Sequence, residues 1–162
     1  MAIIYFAKGS NERISENFRA REFDCPCGRC KSTPIDVDFV IDVLQPIRTK
    51  AGKAMNVNAY RCKDHNAEVP NASPNSRHML GDAFDVSING VAPEWIAKEA
   101  EKLGVKGIGC YEKDGFVHLD ARPQKSFWRE HSQIPETTFL DEDDVKLVRL
   151  ITELEALISK YK

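Results

Sequence analysis

Apolar residues recur at helical spacing between Asp36 and about Lys50, at Val37, Val40, Ile41, Leu44 and Ile47, and Gly52 stands where a helix takes a left-handed cap. Pro46 falls inside this run and should bend it or mark a joint, since its ring crowds the carbonyl four residues back. Ala54–Tyr60 switches to alternation and predicts a strand. The stretch 61–76, "RCKDHNAEVPNASPNS", is polar and rich in Asn and Pro, which predicts a long loop. "GDAFDVSIN" alternates again and places Ala83, Asp85 and Ser87 on one face of a second strand. Ala92–Gly104 has Pro93 in its first turn and a terminal glycine, the signature of another helix. "VKGIGCYEKDGFVHLDARP" predicts two short strands around a turn at Lys113–Gly115. Nearer the start, Ile14–Phe23 predicts a short capped segment whose Phe18 and Phe23 pin it to the core. Helix, strand, loop, strand, helix and two strands in that order imply an α+β domain, a small, largely antiparallel sheet with flanking helices.

After Pro123 the pattern changes. An acidic, polar connector leads into a last helix with Leu147, Leu150, Ile151, Leu154, Leu157, Ile158 and Tyr161 on one stripe. The expected division is a domain over 1–130 and a connector plus amphipathic helix over 131–162. The stripe either packs back on the domain or serves self-association or partner docking; under three heptads, it is marginal alone.

The 162 residues suit one domain with a core of its own. A net charge of -2 gives no strong pull toward nucleic acid or anionic membrane, so neither is expected as a partner. The apolar runs are too short to span a bilayer. "MAIIYFAKGSNER" lacks a basic n-region and a cleavage site, so no signal peptide is expected and synthesis in the cytoplasm is. The five cysteines, Cys25, Cys27, Cys30, Cys62 and Cys110, are odd in number, which argues against a complete disulfide framework. Three lie in "CPCGRC". A structural zinc knuckle completed by Cys62, and a set of reduced thiols with at most one disulfide, both remain open.

The chemistry concentrates in "SRHMLGDAFDV". His78 precedes a strand, Asp85 lies on it seven positions later, and a second histidine, His118, lies on another alternating strand. If the two strands are neighbours, the three side chains converge as two imidazoles and one carboxylate. That set leaves a fourth tetrahedral position for water, as catalytic zinc requires. A carboxylate on an otherwise apolar strand also needs a partner, because burying it alone is costly.

The pattern Ser76, His78, Gly81, Ala83, Asp85 resembles the signature of the LAS-type zinc peptidases of the M15 class, whose fold is shared with the N-terminal domain of Hedgehog. "SENFRAREFDCPCGRC", "YRCKDHNAEV", "GIGCYEKDGFVHLDAR" and "SFW" follow the order of the small subfamily A branch found in phages and bacteria, over roughly 12–129. The resemblance implies a Hedgehog/DD-peptidase-like fold, one catalytic zinc ion on His78, Asp85 and His118, and hydrolysis of peptide bonds in peptidoglycan stem peptides or cross-links after release to the cell wall, with carboxypeptidases, endopeptidases and phage lysins all in the class. It gives Arg61 the role of steadying the tetrahedral intermediate and Ser76 that of a substrate hydrogen-bonding residue. The chain departs from the class at the general base: Gly115 stands where many relatives carry Glu or Asp three residues before the last ligand. Asp120, Glu112 and Asp114 are the substitutes in that order of preference; Asp120 could equally orient a ligand or Arg61. His65 and His131 are expected to have no ligand role. The rival reading is a zinc-containing module, or a phage structural component, that binds a peptide or partner without cleaving it.

Overall fold

The computed structural model describes residues 2–130, 132–133 and 139–160. His131 and Tyr161 lie outside the described residues. Two sheets form. A hairpin-like pair joins β1 (Ile3–Ala7) to β2 (Ser32–Asp36). The main sheet contains β3 (Met55–Asn58), β4 (Ala83–Ile88), β5 (Gly107–Tyr111), β6 (Phe116–Asp120), β7 (Ser126–Arg129) and β8 (Ser132–Gln133), in the order β3-β4-β6-β5-β7-β8. All neighbours are antiparallel except β5 and β7. With its helices this is an α+β fold.

The predicted first helix is continuous from α1 (Val37–Phe39) through a π-helical turn at Val40–Leu44 into α2 (Gln45–Ala51). The Asp36 carboxylate caps its start by accepting from the Phe39 N–H at 3.3 Å, and Gly52 ends it in the left-handed region. Pro46 acts through the π turn before it, where the wider winding relieves the clash with the carbonyl four residues back. Helix α4 (Pro93–Lys102) has Ala92 as its N-cap and Pro93 at its first position. These helices bury Val40, Leu44, Ile47, Ile96, Ala97 and Ala100 against the core. From the sheet, the alternate residues Phe84, Val86 and Ile88 of β4, Val117 and Leu119 of β6, and Ile108 and Cys110 of β5 are buried in the same core. The N-terminal segment is anchored as its pattern implies: Phe18 and Phe23 are fully buried, and Phe23 meets Phe84 edge-on.

Three departures from the sequence pattern matter for the site. Stretch 61–76 is not all loop, for α3 (Lys63–Glu68) forms with Cys62 as its cap, and a 3-10 turn at Arg77–Leu80 follows. Strand β7 extends the sheet past Pro123, so the sheet does not end with the β5–β6 hairpin. Phe139, beyond the expected boundary at 130, is buried against Phe127, and its N–H donates to Glu101 at 2.6 Å. Helix α5 (Glu142–Ser159) is capped by Asp141 and tethered by Lys98–Asp141 and Lys102–Asp144 ion pairs, yet buries none of its residues. Leu147, Leu150, Ile151, Leu154, Leu157 and Ile158 all stay exposed. Among the described residues no helix is long and apolar enough to cross a membrane.

Candidate metal centre

The centre is built on one row across the main sheet. Register places Asn58 beside Asp85, Asp85 beside His118, His118 beside Gly109, and Gly109 beside Trp128. Side chains at paired positions share a face, so this row lies opposite the buried alternate residues. Gly109 matters because a Cβ there would lie 2.2 Å from the Trp128 indole. Its absence lets the indole lean across β5 to within 5.4 Å of the His118 ring. His78 enters from the 3-10 turn after α3. Gly81 ends that turn, with its Cα so close to Pro34 that a Cβ would meet the Pro34 carbonyl oxygen at 2.4 Å. The signature glycine therefore seats the turn on β2.

Three atoms converge at the centre. His118 Nδ1 lies 2.8 Å from Asp85 Oδ1, His78 Nε2 lies 3.3 Å from the same oxygen, and the two imidazole nitrogens are 3.2 Å apart. Ligands about 2.0–2.1 Å from a tetrahedral ion are spaced by about 3.3 Å, so one ion fits among them. The opposite ring nitrogens fix the tautomers such an ion requires. His78 Nδ1 faces the Ala59 carbonyl at 2.7 Å and donates to it, which leaves Nε2 a lone pair. His118 Nε2 faces Asp120 Oδ2 at 3.0 Å, which leaves Nδ1 free to coordinate.

Asp120 is fully buried and held on every side. Its oxygens accept from Arg122 Nε at 2.8 Å, Arg122 Nη2 at 2.6 Å and the Arg122 N–H at 3.0 Å, with Arg77 Nε 3.5 Å away. Burial would raise its carboxyl, but the His118 and Arg122 hydrogen bonds and charges hold it well below the usual carboxylate range. Asp85 behaves alike: burial opposes its charge, and His118 and His78 outweigh burial. For His118 burial disfavours the imidazolium, but hydrogen bonds to Asp120 and Asp85 prevail and raise it to about 9 without a metal.

A cavity of about 370 Å³ opens over the centre, lined by Arg61, Ser73, Ser76, His78, Asp85, Tyr111, His118, Arg122 and Trp128 among others. A second, of about 390 Å³, shares Arg61, His78 and Asp85 and runs toward Glu22, Tyr60 and His65. The first takes in His118 and Trp128 and the second Asn58 and Ala59, so the two meet at Arg61, His78 and Asp85. The Arg61 N–H donates to the His78 carbonyl at 3.2 Å, and its Nη2 reaches Ser76 Oγ at 3.4 Å, while its buried Nε has no partner among the described residues. Arg61 and Ser76 are thus brought to the centre together with His78, Asp85 and His118.

Two base candidates are not. Glu112 pairs with Arg129 at the far side of the hairpin, and Asp114 is exposed in the turn; neither lines the first cavity, where Asp85 is the one carboxylate among the described residues. Asp120 faces His118 from behind and is screened from the cavity, so its geometry is that of an orienting partner, the alternative weighed beside the base role. His65 lies in the first turn of α3, 3.5 Å from Glu68, and lines the second cavity without joining the His78, Asp85, His118 group. Pattern reading missed Arg122, Tyr111 and Trp128. Arg122 was within reach, two residues past Asp120 and four past His118; Trp128 was not, because its place depends on the parallel β5–β7 pairing.

A model of the family described as Peptidase M15 matches residues 16–120. Over 73 residues the chain is 34% identical to the peptidoglycan L,D-endopeptidase MepK of Escherichia coli (strain K12), and equally to the proteins of that name from Escherichia coli O157:H7 and Shigella flexneri. The match covers 43% of this chain and 40% of each relative, so the chain spans well under half the length of the curated relatives it matches. No solved structure matches it.

Proposed function

The chain belongs to the Peptidase M15 family, and from that premise we propose that it is a zinc-dependent endopeptidase of peptidoglycan peptides. The observation that carries the reading is the convergence of His78 Nε2, Asp85 Oδ1 and His118 Nδ1 within 3.3 Å in an open cleft. The donor set and its spacing fit zinc, which when bound supplies a Lewis acid and a water acidic enough to be deprotonated near neutral pH. The two cavities that meet at Arg61, His78 and Asp85 favour cleavage within a peptide over removal of a terminal residue, since they give substrate room to continue past the scissile bond. The name of the curated relatives, peptidoglycan L,D-endopeptidase, supports the substrate class and the kind of cut.

In this reading Arg61 donates from its guanidinium to the oxygen of the scissile carbonyl as negative charge develops there, and Ser76 holds that guanidinium in place. Arg122 presents its positive charge to substrate carboxylates at the cavity wall while anchoring Asp120. Trp128, Tyr111 and Phe116 give an apolar floor, with the indole N–H fixed on the Tyr111 hydroxyl at 2.8 Å. Asp120 keeps His118 in the coordinating tautomer.

One observation favours a second reading, a metal-holding module that binds wall peptide without cutting it: among the described residues Asp85 is the one carboxylate lining the first cavity. Incubating the purified protein with peptidoglycan and identifying the released fragments by mass separates the two. Fragments ending at an internal stem-peptide bond, absent with His78→Ala, support the endopeptidase; release of single terminal residues would make it a carboxypeptidase. Co-sedimentation with peptidoglycan and no release would make it a binding module.

A further inference from the structure

We propose that Cys25, Cys27, Cys30 and Cys62 form a second metal site, a structural zinc held by four thiolates, separate from the centre on His78, Asp85 and His118. The four sulfur atoms all lie within 4.8 Å of one another. Cys27 Sγ is 3.5 Å from Cys30 Sγ and 3.7 Å from Cys62 Sγ. Four sulfurs about 2.3 Å from a tetrahedral zinc are spaced by about 3.8 Å, so the cluster already has the size of a zinc–sulfur tetrahedron. None of the four is in a disulfide.

Core packing does not account for the cluster. Cys25 is buried, but Cys27, Cys30 and Cys62 are only half-buried on a loop and at a helix start. The local backbone is arranged around the sulfurs instead. Gly28, in the left-handed region, reverses the chain between Cys27 and Cys30. The N–H of Arg29 donates to Cys27 Sγ at 3.4 Å, that of Cys62 to Cys25 Sγ at 3.5 Å, and that of His65 to Cys62 Sγ at 3.4 Å. Such donors spread the negative charge that four thiolates leave on a divalent ion, and they fix the ligands from behind.

The site joins two segments that an Arg29–Glu68 ion pair at 2.8 Å also ties from the surface. The loop between Phe23 and β2 has no regular structure and lies beside Cys62, the cap of α3. Cys62 follows Arg61 directly, and the Tyr60 N–H donates to the Phe23 carbonyl at 3.2 Å. An ion at the four sulfurs therefore ties the loop to the backbone that carries Arg61 and closes one wall of the second cavity, where Pro26 and Tyr60 both appear. Each thiol gives up its proton on binding, and the ion enters as the divalent cation, so no redox step is involved.

The test uses the full chain, purified in zinc-containing buffer with a reductant and without chelator. Elemental analysis together with native mass spectrometry should find two zinc ions per chain, and zinc-edge X-ray absorption should show a sulfur shell at about 2.3 Å beside the nitrogen and oxygen shell. His78→Ala should reduce the count to one and leave an all-sulfur first shell. Cys30→Ser should reduce the count to one and remove most of the sulfur signal. A single zinc in the wild-type protein, a zinc spectrum without sulfur, or an intact mass lower by two hydrogens from a Cys27–Cys30 or Cys27–Cys62 disulfide would overturn the proposal. The wild-type measurements decide it even if Cys30→Ser does not fold.

Discussion

Replacing Asp120 by Asn keeps the shape of the side chain and removes the charge that faces His118. The amide has one oxygen where the carboxylate has two, and of those two Oδ2 accepts from both His118 Nε2 and Arg122 Nη2 while Oδ1 accepts from Arg122 Nε. Turned either way, the Asn NH₂ meets a donor: an Arg122 N–H or the His118 Nε2–H. Turned toward His118, it favours the tautomer with the proton on Nδ1, the atom the metal needs. Loss of such an orienting partner costs about 10–100-fold in metal affinity. A second effect runs the other way. Without metal, His118 is raised from 6.5 to about 9, and the proton it carries competes with the ion. Wild-type affinity should therefore climb about tenfold per pH unit up to about pH 9. In the variant the climb should level off at a lower pH, because much of the charge holding the proton is gone. The two effects oppose each other near neutral pH, so the slope is the readout, measured by competition with a chromophoric chelator from pH 6 to 10. Urea unfolding of the metal-free protein gives an independent check. A histidine whose folded pKa lies above its unfolded value contributes stability that is fully present below about 6.5 and is lost as pH rises through about 9. At about 1.4 kcal/mol per pH unit the interval amounts to about 3 kcal/mol. Asp120→Asn should remove at least half of that pH-dependent loss. If wild type and variant share the same affinity slope up to pH 9 and the same stability profile, Asp120 does not hold the His118 proton, and its orienting role falls.

Arg61→Lys should leave metal content unchanged and lower peptide turnover by about 100-fold, since an ammonium cannot reproduce the fixed fork beside Ser76; equal turnover would remove Arg61 from the reaction. Glu112→Gln should change turnover by less than about twofold because its partner is Arg129, and a loss of 100-fold with metal retained would instead make Glu112 the base. Ending the chain after Leu140 removes α5 but keeps the buried Phe139, so metal content and turnover should persist; light scattering should then report a smaller species if the exposed Leu147–Ile158 stripe mediates self-association, and an unchanged oligomeric state would remove that role.

How much of this was legible in the sequence depends on the range of the interaction involved. Local rules placed the first helix to within a residue or two, down to the Asp36 and Gly52 ends, because capping and periodicity are properties of a few neighbours. They failed for α3, a six-residue helix in a polar stretch with no apolar stripe to announce it, and for β1 and β2, which take strand form from pairing with each other across the intervening loop. That His78, Asp85 and His118 could converge was legible because a signature holds two of them in one short segment and strand alternation gives the third its face. Register then does what the sequence alone could not. It sets Asp85 directly opposite His118, and it sets Asp120, the last residue of β6, opposite Ala83 and Gly107, the first residues of β4 and β5, where its side chain is fully buried. The same alternation that put Asp120 on the ligand face therefore left open whether it meets substrate or stands behind a ligand. Burial and partners decide between those roles, and for Asp120 both follow from which residues surround the end of β6 once β4, β6 and β5 are paired. A carboxylate two positions from a metal-binding histidine cannot be assigned as a base until that pairing is known.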